Sequence, residues 1–277
     1  MYVIMIKVKV LNMIKLIAID VDGTLLNAEG KLPEGFGELL LRLVDKGVYV
    51  AIASGRQYHT LINDFEPYKH QLVFIAENGS IVMHKGKELF FRSLERQKVE
   101  GIIRDIRGAD KCDIVLCGKK SAYVETLNSE FEAEVRKYYH RCELVEDLLC
   151  VEDDVLKIAL YDYIDAQEHS YPIFASKWSK ETNVIVSGKH WMDFGRLDVD
   201  KGVAIKNLQG MFGVEYNETM VFGDYFNDVP MMEEAYYSYA VENAPEGVRA
   251  KARFVAPANS EEGVLKVIYQ KEKDGLI

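Results

Sequence analysis

The chain has 277 residues, with 34 Lys and Arg against 44 Asp and Glu and a formal net charge of -10, a length that fits one large domain or two smaller ones. This acidic excess argues against a nucleic-acid-binding protein, because affinity for nucleic acid depends largely on basic residues that contact phosphates. A phosphorylated small molecule stays open as a partner, since a few local cations or one metal ion can reverse the field inside a cleft.

The N-terminal segment is apolar, but three lysines interrupt it before Asp20. No apolar run approaches the roughly 20 residues that span a bilayer, and no small-residue cleavage site follows a compact apolar stretch. The four cysteines form no Cys-x-x-Cys pair, which is typical of reduced thiols. We therefore expect a cytoplasmic protein without a membrane partner. Residues 1–12 are interpreted as a loosely attached strand or an upstream start, because the segment from Met13 looks complete without them.

Apolar, β-branched runs alternate with an amphipathic segment in the first part of the chain. The runs 15–23, 48–56 and 72–79 are typical of buried strands. Between the first two, segment 36–47 has leucines at helical spacing and ends in Gly47, a natural helix stop. Strands separated by connections of these lengths predict parallel βαβ units with right-handed crossovers.

From about residue 81 the pattern changes. A hairpin is predicted around Lys85–Lys87. The stretch 94–188 then mixes helices with short strands, which fits an α+β unit with an antiparallel sheet. The helices predicted in this stretch are 95–108, 128–140 and 165–179.

After residue 200 the alternation of strands and helices returns. The predicted elements are helix 201–212, strand 219–224, helix 226–235, strands 237–241 and 253–256, and helix 260–272. The simplest account is an α/β fold in which residues 1–84 and 189–277 form one parallel-sheet domain and residues 85–188 form an inserted α+β domain.

The strongest chemical signal is the run Asp20–Thr24, placed where a predicted buried strand ends. Ligand sites in open α/β sheets lie at the carboxyl ends of the strands. Asp20 and Asp22 are two positions apart, so their side chains point the same way on an extended backbone. Two buried like charges repel unless a cation or a proton intervenes, and Mg²⁺ is a cation that carboxylates bind. Gly23 permits a tight turn that brings backbone N–H groups toward a phosphate.

The run Asp20–Leu26 resembles the opening motif of the haloacid dehalogenase-like phosphatases. The resemblance implies that Asp20 attacks phosphorus and forms an aspartyl-phosphate, with Mg²⁺ as the cofactor. It also implies that Asp22 protonates the leaving oxygen and then activates water. In the implied metal site, the Asp20 side chain and the backbone carbonyl of Asp22 are both ligands.

Two further motifs of that family have matches along the chain. Ser54 and Gly55 end the second predicted strand, where the resemblance implies a hydroxyl that contacts the phosphate. Lys201 opens a predicted helix and matches the lysine that balances charge on the nucleophile and on the transferring phosphoryl group. Taken alone, the first match is weak because Ser-Gly turns are common, and a lone Lys at a helix start is normally a solvated residue.

The fourth motif matches Gly223–Asp228, directly after an apolar strand. The resemblance implies that Asp224 binds the metal, that Asp228 binds it directly or orients a water, and that Asn227 lies close to the phosphate. Alone, this run fits a helix N-cap with an Asx turn equally well. The four motifs occur in the family's order, each at a predicted strand or helix terminus, so chance explains the set poorly.

The insertion indicates the branch of the family. It is too long for a crossover connection, and its mixed composition resembles the α+β cap domain of the Cof-type subfamily, type C2/IIB, on a Rossmann-like core. The segments Glu77–Ser80 and Val241–Ala244 also resemble that subfamily. The cap is expected to supply specificity, with Arg56 and Lys189 among the candidate contacts. For either of these side chains taken alone, a solvated surface position is the more common case.

The sequence thus predicts a magnesium-dependent phosphatase that acts on sugar phosphates, nucleotides or phosphorylated vitamins. We take a monomer as the default state, because the cap already covers the site. A phosphomutase of the same family is one alternative. A binding or regulatory module without turnover is another, although the intact set of Asp20, Asp22, Lys201 and Asp224 argues against it.

Overall fold

The computed structural model describes residues 13–126 and 128–277, so the interpretation of residues 1–12 falls outside the described residues. Within these ranges no helix has the length and apolar character needed to cross a membrane. The strands in chain order are β1 (Leu16–Asp20), β2 (Tyr49–Ala53), β3 (Leu72–Ala76), β4 (Ile81–His84), β5 (Lys87–Phe91), β6 (Cys112–Gly118), β7 (Ala122–Val124), β8 (Cys142–Leu144), β9 (Val155–Asp162), β10 (Thr182–Gly188), β11 (Trp191–Arg196), β12 (Thr219–Gly223), β13 (Tyr237–Val241) and β14 (Phe254–Ala256). The α-helices are α1 (Phe36–Asp45), α2 (Tyr58–Asp64), α3 (Arg96–Arg107), α4 (Ser129–Tyr138), α5 (Tyr171–Trp178), α6 (Lys201–Phe212), α7 (Val229–Glu233), α8 (Glu246–Arg249) and α9 (Gly263–Lys273).

The first sheet has the strand order β14-β13-β12-β1-β2-β3-β4-β5. Its strands are parallel from β14 to β3, and β4 and β5 extend it by antiparallel pairing. Every residue of β1, β3, β12 and β13 is buried, as expected for parallel strands covered on both faces. The chain builds this sheet outward from β1 on one side and from β12 on the other. The switch point between β1 and β12 is where such folds bind ligands.

The second sheet has the order β10-β11-β9-β6-β7-β8, and all its neighbouring strands are antiparallel except β7 and β8. It has two hydrophobic clusters of its own. One of them includes Val99, Ile102, Ile103 and Ile106 of α3, whose spacing places them on one helix face. The two sheets confirm the predicted α/β class, with a parallel core and an α+β insertion.

The boundary between the two units differs from the expected 85–188. The chain leaves the first sheet after β5, because Lys87–Phe91 continues that sheet by pairing with β4. It leaves the second sheet after β11, because Trp191–Arg196 pairs with both β9 and β10. Strand pairing therefore places each crossing several residues later than the composition suggested. From here the cap denotes residues 96–196.

The cap contacts the core where the chain follows β2. Gln57 donates from Nε2 to the carbonyl of Arg141 at 2.9 Å, and Arg141 N donates back to Gln57 Oε1 at 3.2 Å. Thr60 Oγ1 donates to the carbonyl of Tyr138 at 2.8 Å. These bonds place the cap segment around Tyr138 beside the carboxyl edge of the core sheet.

Candidate active site

The carboxyl ends of β1 and β12 bring the first and fourth sequence motifs together. Asp20 is the last residue of β1, and Asp224 follows directly after β12. The turn after Asp20 requires Gly23, which has a φ of +78°. A Cβ on Gly23 would lie 2.4 Å from Asp224 Oδ2, so this turn packs against the carboxylate of Asp224. Thr24 Oγ1 donates to Asp224 Oδ1 at 3.1 Å and fixes its orientation.

Lys201 lies fully buried between two carboxylates. Its Nζ is 2.6 Å from Asp20 Oδ1 and 2.6 Å from Asp228 Oδ1. Lys201 begins α6, whose N-terminus is capped by Asp200 accepting from Val203 N at 2.8 Å. Although burial opposes the charged ammonium, the two carboxylates raise the pKa of Lys201 above its ordinary value. The ammonium is therefore charged next to Asp20.

Three carboxylates form a cluster at this edge. Oxygens of Asp20, Asp224 and Asp228 all lie within 4.8 Å of one another. Burial, followed by the charge of Asp228, raises the pKa of Asp20 well above its usual range and that of Asp224 to about 6. One lysine thus leaves the cluster with an excess of negative charge. An all-oxygen donor set with excess charge fits Mg²⁺.

The partners of Asp228 distinguish it from the other two. Its Oδ1 accepts from Lys201, while its Oδ2 accepts from the backbone N–H of Asp224 at 2.9 Å and of Tyr225 at 3.1 Å. Both of its oxygens are therefore engaged by protein donors. Asp20 and Asp224 are better placed to give an oxygen to a cation, whereas Asp228 orients the loop and Lys201.

Three of the four residues expected on the phosphate side line a cavity next to the carboxylate cluster. Ser54 Oγ accepts from the backbone N–H of Arg56 at 3.1 Å, which leaves its own hydrogen available to a ligand. Asn227 Nδ2 donates to Asn78 Oδ1 at 3.2 Å. Ser54, Gly55 and Asn227 line the cavity. Gly23, the fourth of these residues, is held in place by Asn243, whose Nδ2 donates to the Gly23 carbonyl at 2.8 Å.

Asp22 stands apart from the three clustered carboxylates. Its side chain is 55% exposed and faces the cavity, where it is paired with Arg56. The guanidinium of Arg56 also binds Asp64. Arg56, which we expected to be a substrate contact, thus has two carboxylate partners within the protein.

A cavity of about 550 Å³ separates the carboxyl edge from the cap. Cap residues that line it include Tyr138, Ser187, Lys189 and Trp191, so Lys189 faces the expected region. The Tyr138 and Trp191 rings are 5.8 Å apart at 78°. Trp191 Nε1 is buried and has no hydrogen-bond partner among the described residues. A buried indole N–H normally has a partner, so this one is an exception among the described residues.

A buried charge cluster joins the cap to the core at the same cavity. Lys157 of β9 donates to the carbonyl of Gly55 at 2.8 Å, and its Nζ lies 3.1 Å from Glu77 and 3.2 Å from Asp193. Burial raises the pKa of Glu77, and Lys157 opposes this shift. Glu77 and Asp193 were not predicted as site residues. The available signal was Lys157 itself, a lone cation within an apolar strand.

A second group of potential metal ligands lies in the cap. Atoms of Cys112, Asp162 and His169 lie within 4.8 Å of one another. Both oxygens of Asp162 already accept backbone N–H groups, from Ile164 at 2.8 Å and from Ser170 at 3.1 Å. Burial also raises the pKa of the Cys112 thiol to about 12, so it stays protonated. These contacts account for the group as part of the cap's structure.

Known proteins are similar to this chain in sequence and in fold. The profile of the haloacid dehalogenase-like hydrolases matches residues 17–268. A 5-amino-6-(5-phospho-D-ribitylamino)uracil phosphatase of Escherichia coli is 32% identical over 262 residues, covering 92% of this chain and 95% of the relative. A phosphatase with the same substrate name from Bacillus subtilis is 27% identical over 255 residues, covering 92% and 94%.

Solved structures with a similar fold belong to related proteins. A Streptococcus mutans protein superposes with a TM-score of 0.86 at 28% identity, covering 94% of this chain and 99% of the other. The subclass IIB sugar phosphatase BT4131 superposes with a TM-score of 0.79 at 21% identity, covering 95% and 100%. At that identity the second match shows a shared fold.

Proposed function

This chain belongs to the haloacid dehalogenase-like hydrolase family and is a phosphatase, and on that premise we propose a magnesium-dependent phosphomonoesterase whose nucleophile is Asp20. The observation that carries the proposal is the buried Asp20 carboxylate, held 2.6 Å from the charged Lys201. Asp20 also lines the cavity, beside the oxygen of Asp224. A nucleophilic carboxylate has to be ionised, and Lys201 favours that form against burial and the charge of Asp228, which raise the pKa of Asp20.

We propose that Asp20 and Asp224 hold Mg²⁺, with the backbone carbonyl of Asp22 as a third protein ligand. When bound, Mg²⁺ neutralises the carboxylate cluster and polarises a phosphoryl oxygen. Asp228 keeps Lys201 and the loop after β12 in position. The excess negative charge at the cluster supports this assignment. Burial and, after it, the charge of Asp228 raise the pKa of Asp224, and a divalent cation relieves that repulsion.

The chain's own residues carry two phosphoryl transfer steps in this proposal. In the first, Asp20 forms a bond to phosphorus while the bond to the leaving oxygen breaks, and Asp22 gives that oxygen a proton. Ser54, Lys201 and backbone N–H groups near Gly23 hold the phosphoryl oxygens as charge redistributes. In the second step a water attacks the phosphorus of the aspartyl-phosphate, and Asp22 takes a proton from that water. The bond between phosphorus and the Asp20 oxygen breaks, which frees the Asp20 carboxylate and releases inorganic phosphate.

For the substrate, we propose a phosphorylated polyol that carries a pyrimidine ring, such as 5-amino-6-(5-phospho-D-ribitylamino)uracil. The names of the Escherichia coli and Bacillus subtilis relatives support this choice. The cavity supports it independently, because it has the volume for such a ligand. Tyr138 and Trp191 also line the cavity, so aromatic side chains are available to contact a pyrimidine ring.

The test is phosphate release from a panel of metabolites, with Mg²⁺ and with EDTA. The panel contains the phosphoribitylaminouracil, ribitol 5-phosphate, sugar phosphates and nucleotides. We expect Mg²⁺-dependent release that Asp20→Asn abolishes, and a higher kcat/KM for the ring-bearing compound than for ribitol 5-phosphate. Trp191→Leu removes an aromatic ring from the cavity wall, so it is expected to reduce this preference without reducing turnover of ribitol 5-phosphate.

Other outcomes point to the other readings. No release together with an isomeric phosphorylated product, formed only when a bisphosphate is added, indicates a phosphomutase. Tight binding of a panel member without any product indicates a silent binding module. Release that survives in Asp20→Asn contradicts the assignment of the nucleophile.

A further inference from the structure

Arg56 forms a two-pronged contact with Asp22. Its Nε is 2.8 Å from Asp22 Oδ2, and its Nη2 is 2.5 Å from Asp22 Oδ1. Two parallel bonds from a planar guanidinium fix the rotamer and the plane of a carboxylate, whereas a single bond fixes neither. Without this contact, a carboxylate that is 55% exposed would be free to rotate.

Asp64 holds the other side of the same guanidinium. Arg56 Nη1 donates to Asp64 Oδ2 at 2.7 Å. Asp64 is the last residue of α2, so it belongs to a rigid element of the core. The side chain of Arg56 is only 19% exposed, and its three donor nitrogens are all engaged by carboxylates.

We infer that Arg56, anchored by Asp64, is a positioning residue that holds the Asp22 carboxylate in the orientation needed for proton transfer to the leaving oxygen. The inference rests on the proposed function, in which Asp22 is the general acid. Each Asp22 oxygen has a second acceptor position, so one of them can exchange a proton with the leaving oxygen while both bonds to Arg56 persist. Asp64, which no sequence motif marked, acquires a role through Arg56.

The alternative is that Arg56 binds the substrate directly. If Arg56 bound the variable part of the substrate, its loss would lower kcat/KM only for substrates that carry the bound group. If it bound the phosphate, its loss would lower kcat/KM equally for all substrates. A positioning role predicts a different pattern, because only a poor leaving group needs a proton from Asp22. An alkoxide is a poor leaving group, whereas p-nitrophenolate is stable as an anion.

The experiment compares kcat/KM for p-nitrophenyl phosphate with kcat/KM for the fastest alkyl phosphate of the panel. This parameter reports steps up to the first phosphoryl transfer and omits hydrolysis of the intermediate. For Arg56→Gln we expect a loss of about tenfold or more on the alkyl phosphate and a much smaller loss on p-nitrophenyl phosphate, since general acid catalysis contributes about 10²–10⁴-fold. Arg56→Lys keeps the charge but lacks the fork, so we expect the same pattern.

Three further variants serve as internal checks. Asp64→Asn is expected to show the same pattern with a smaller loss. In an Asp22→Asn background, Arg56→Gln is expected to add no further loss on the alkyl phosphate. Arg196 forms an equivalent two-pronged pair with Asp198, with both bonds at 2.7 Å, so Arg196→Gln is the matched control, and both substrates should be unaffected.

Equal losses on the two substrates, full rescue by Arg56→Lys, or additive losses with Asp22→Asn would overturn the positioning role. These outcomes leave the proposed function intact when Asp22→Asn alone shows the leaving-group pattern. If Asp22→Asn lacks that pattern, the general acid assignment fails first, and the inference fails with it. Thermal unfolding of each variant identifies losses that come from misfolding.

Discussion

The raised pKa of Asp224 predicts that magnesium and protons compete for the carboxylate cluster. Burial and the charge of Asp228 raise this pKa from 3.8 to about 6 in the metal-free protein. In the unfolded chain Asp224 loses its proton near the ordinary value. Between these two pH values the folded protein holds a proton that the unfolded chain has lost. The free energy of unfolding therefore falls as the pH rises through this window.

The size of the effect follows from the pKa difference. At about 1.36 kcal/mol per pH unit, the free energy of unfolding falls by about 3 kcal/mol across this window. The metal-free protein therefore lacks this stabilisation above pH 6. Mg²⁺ at about 100 times its Kd adds about 2.7 kcal/mol to the free energy of unfolding at pH 7.5. At pH 5 the proton weakens binding about tenfold, and the same concentration adds about 1.4 kcal/mol.

The assay is thermal unfolding at pH 5 and pH 7.5, with Mg²⁺ and with EDTA. The difference between the two solutions at one pH removes contributions from groups remote from the cluster. Asp224→Asn is expected to unfold at a higher temperature than the wild type in EDTA at pH 7.5, because it removes a repelling charge, and to lose the response to Mg²⁺. Asp274→Asn, a surface change at the end of α9, is the matched control with a normal response.

Two results would refute this reasoning. One is a shift caused by Mg²⁺ that is equal at both pH values. The other is an Asp224→Asn variant that is less stable than the wild type in EDTA at pH 7.5 and still responds to Mg²⁺. Either would mean that the cation binds away from this cluster.

Three further predictions concern buried groups. Lys201→Met should lower the free energy of unfolding by about 3–5 kcal/mol at pH 7.5, because it leaves buried carboxylates unpaired; denaturant unfolding measures this, and an unchanged midpoint would contradict it. Gly23→Ala should reduce Mg²⁺-dependent turnover, since its Cβ would lie 2.4 Å from Asp224 Oδ2; turnover equal to wild type at limiting Mg²⁺ would count against the turn's role. Lys157→Met should also lower the free energy of unfolding by about 3–5 kcal/mol, because Glu77 loses its cation. Urea denaturation measures this, and a free energy of unfolding equal to that of the wild type would contradict it.

Much of the fold was accessible from local patterns. Apolar runs and helix stops identified β1, β2 and β3 and the α/β class, because burial of a parallel strand leaves a continuous apolar signature. The predicted helix 226–235 is a short turn followed by Val229–Glu233. The cap boundary was misplaced at both ends. The hairpin around Lys85–Lys87 was predicted, but local patterns did not indicate that both of its strands extend the core sheet, nor that β11 pairs with β9 and β10.

The candidate site divides in the same way, and its residue roles remain predictions. By itself the sequence determined that Asp20 and Asp224 occupy strand ends, because a motif after an apolar run fixes the edge of the sheet on which it lies. Only the tertiary structure decided that Lys201, 181 positions from Asp20, lies between two carboxylates, and that Arg56 joins Asp22 to Asp64. The periodicity of a chain specifies which face of an element is buried, whereas the partners of a buried charge depend on how distant elements pack.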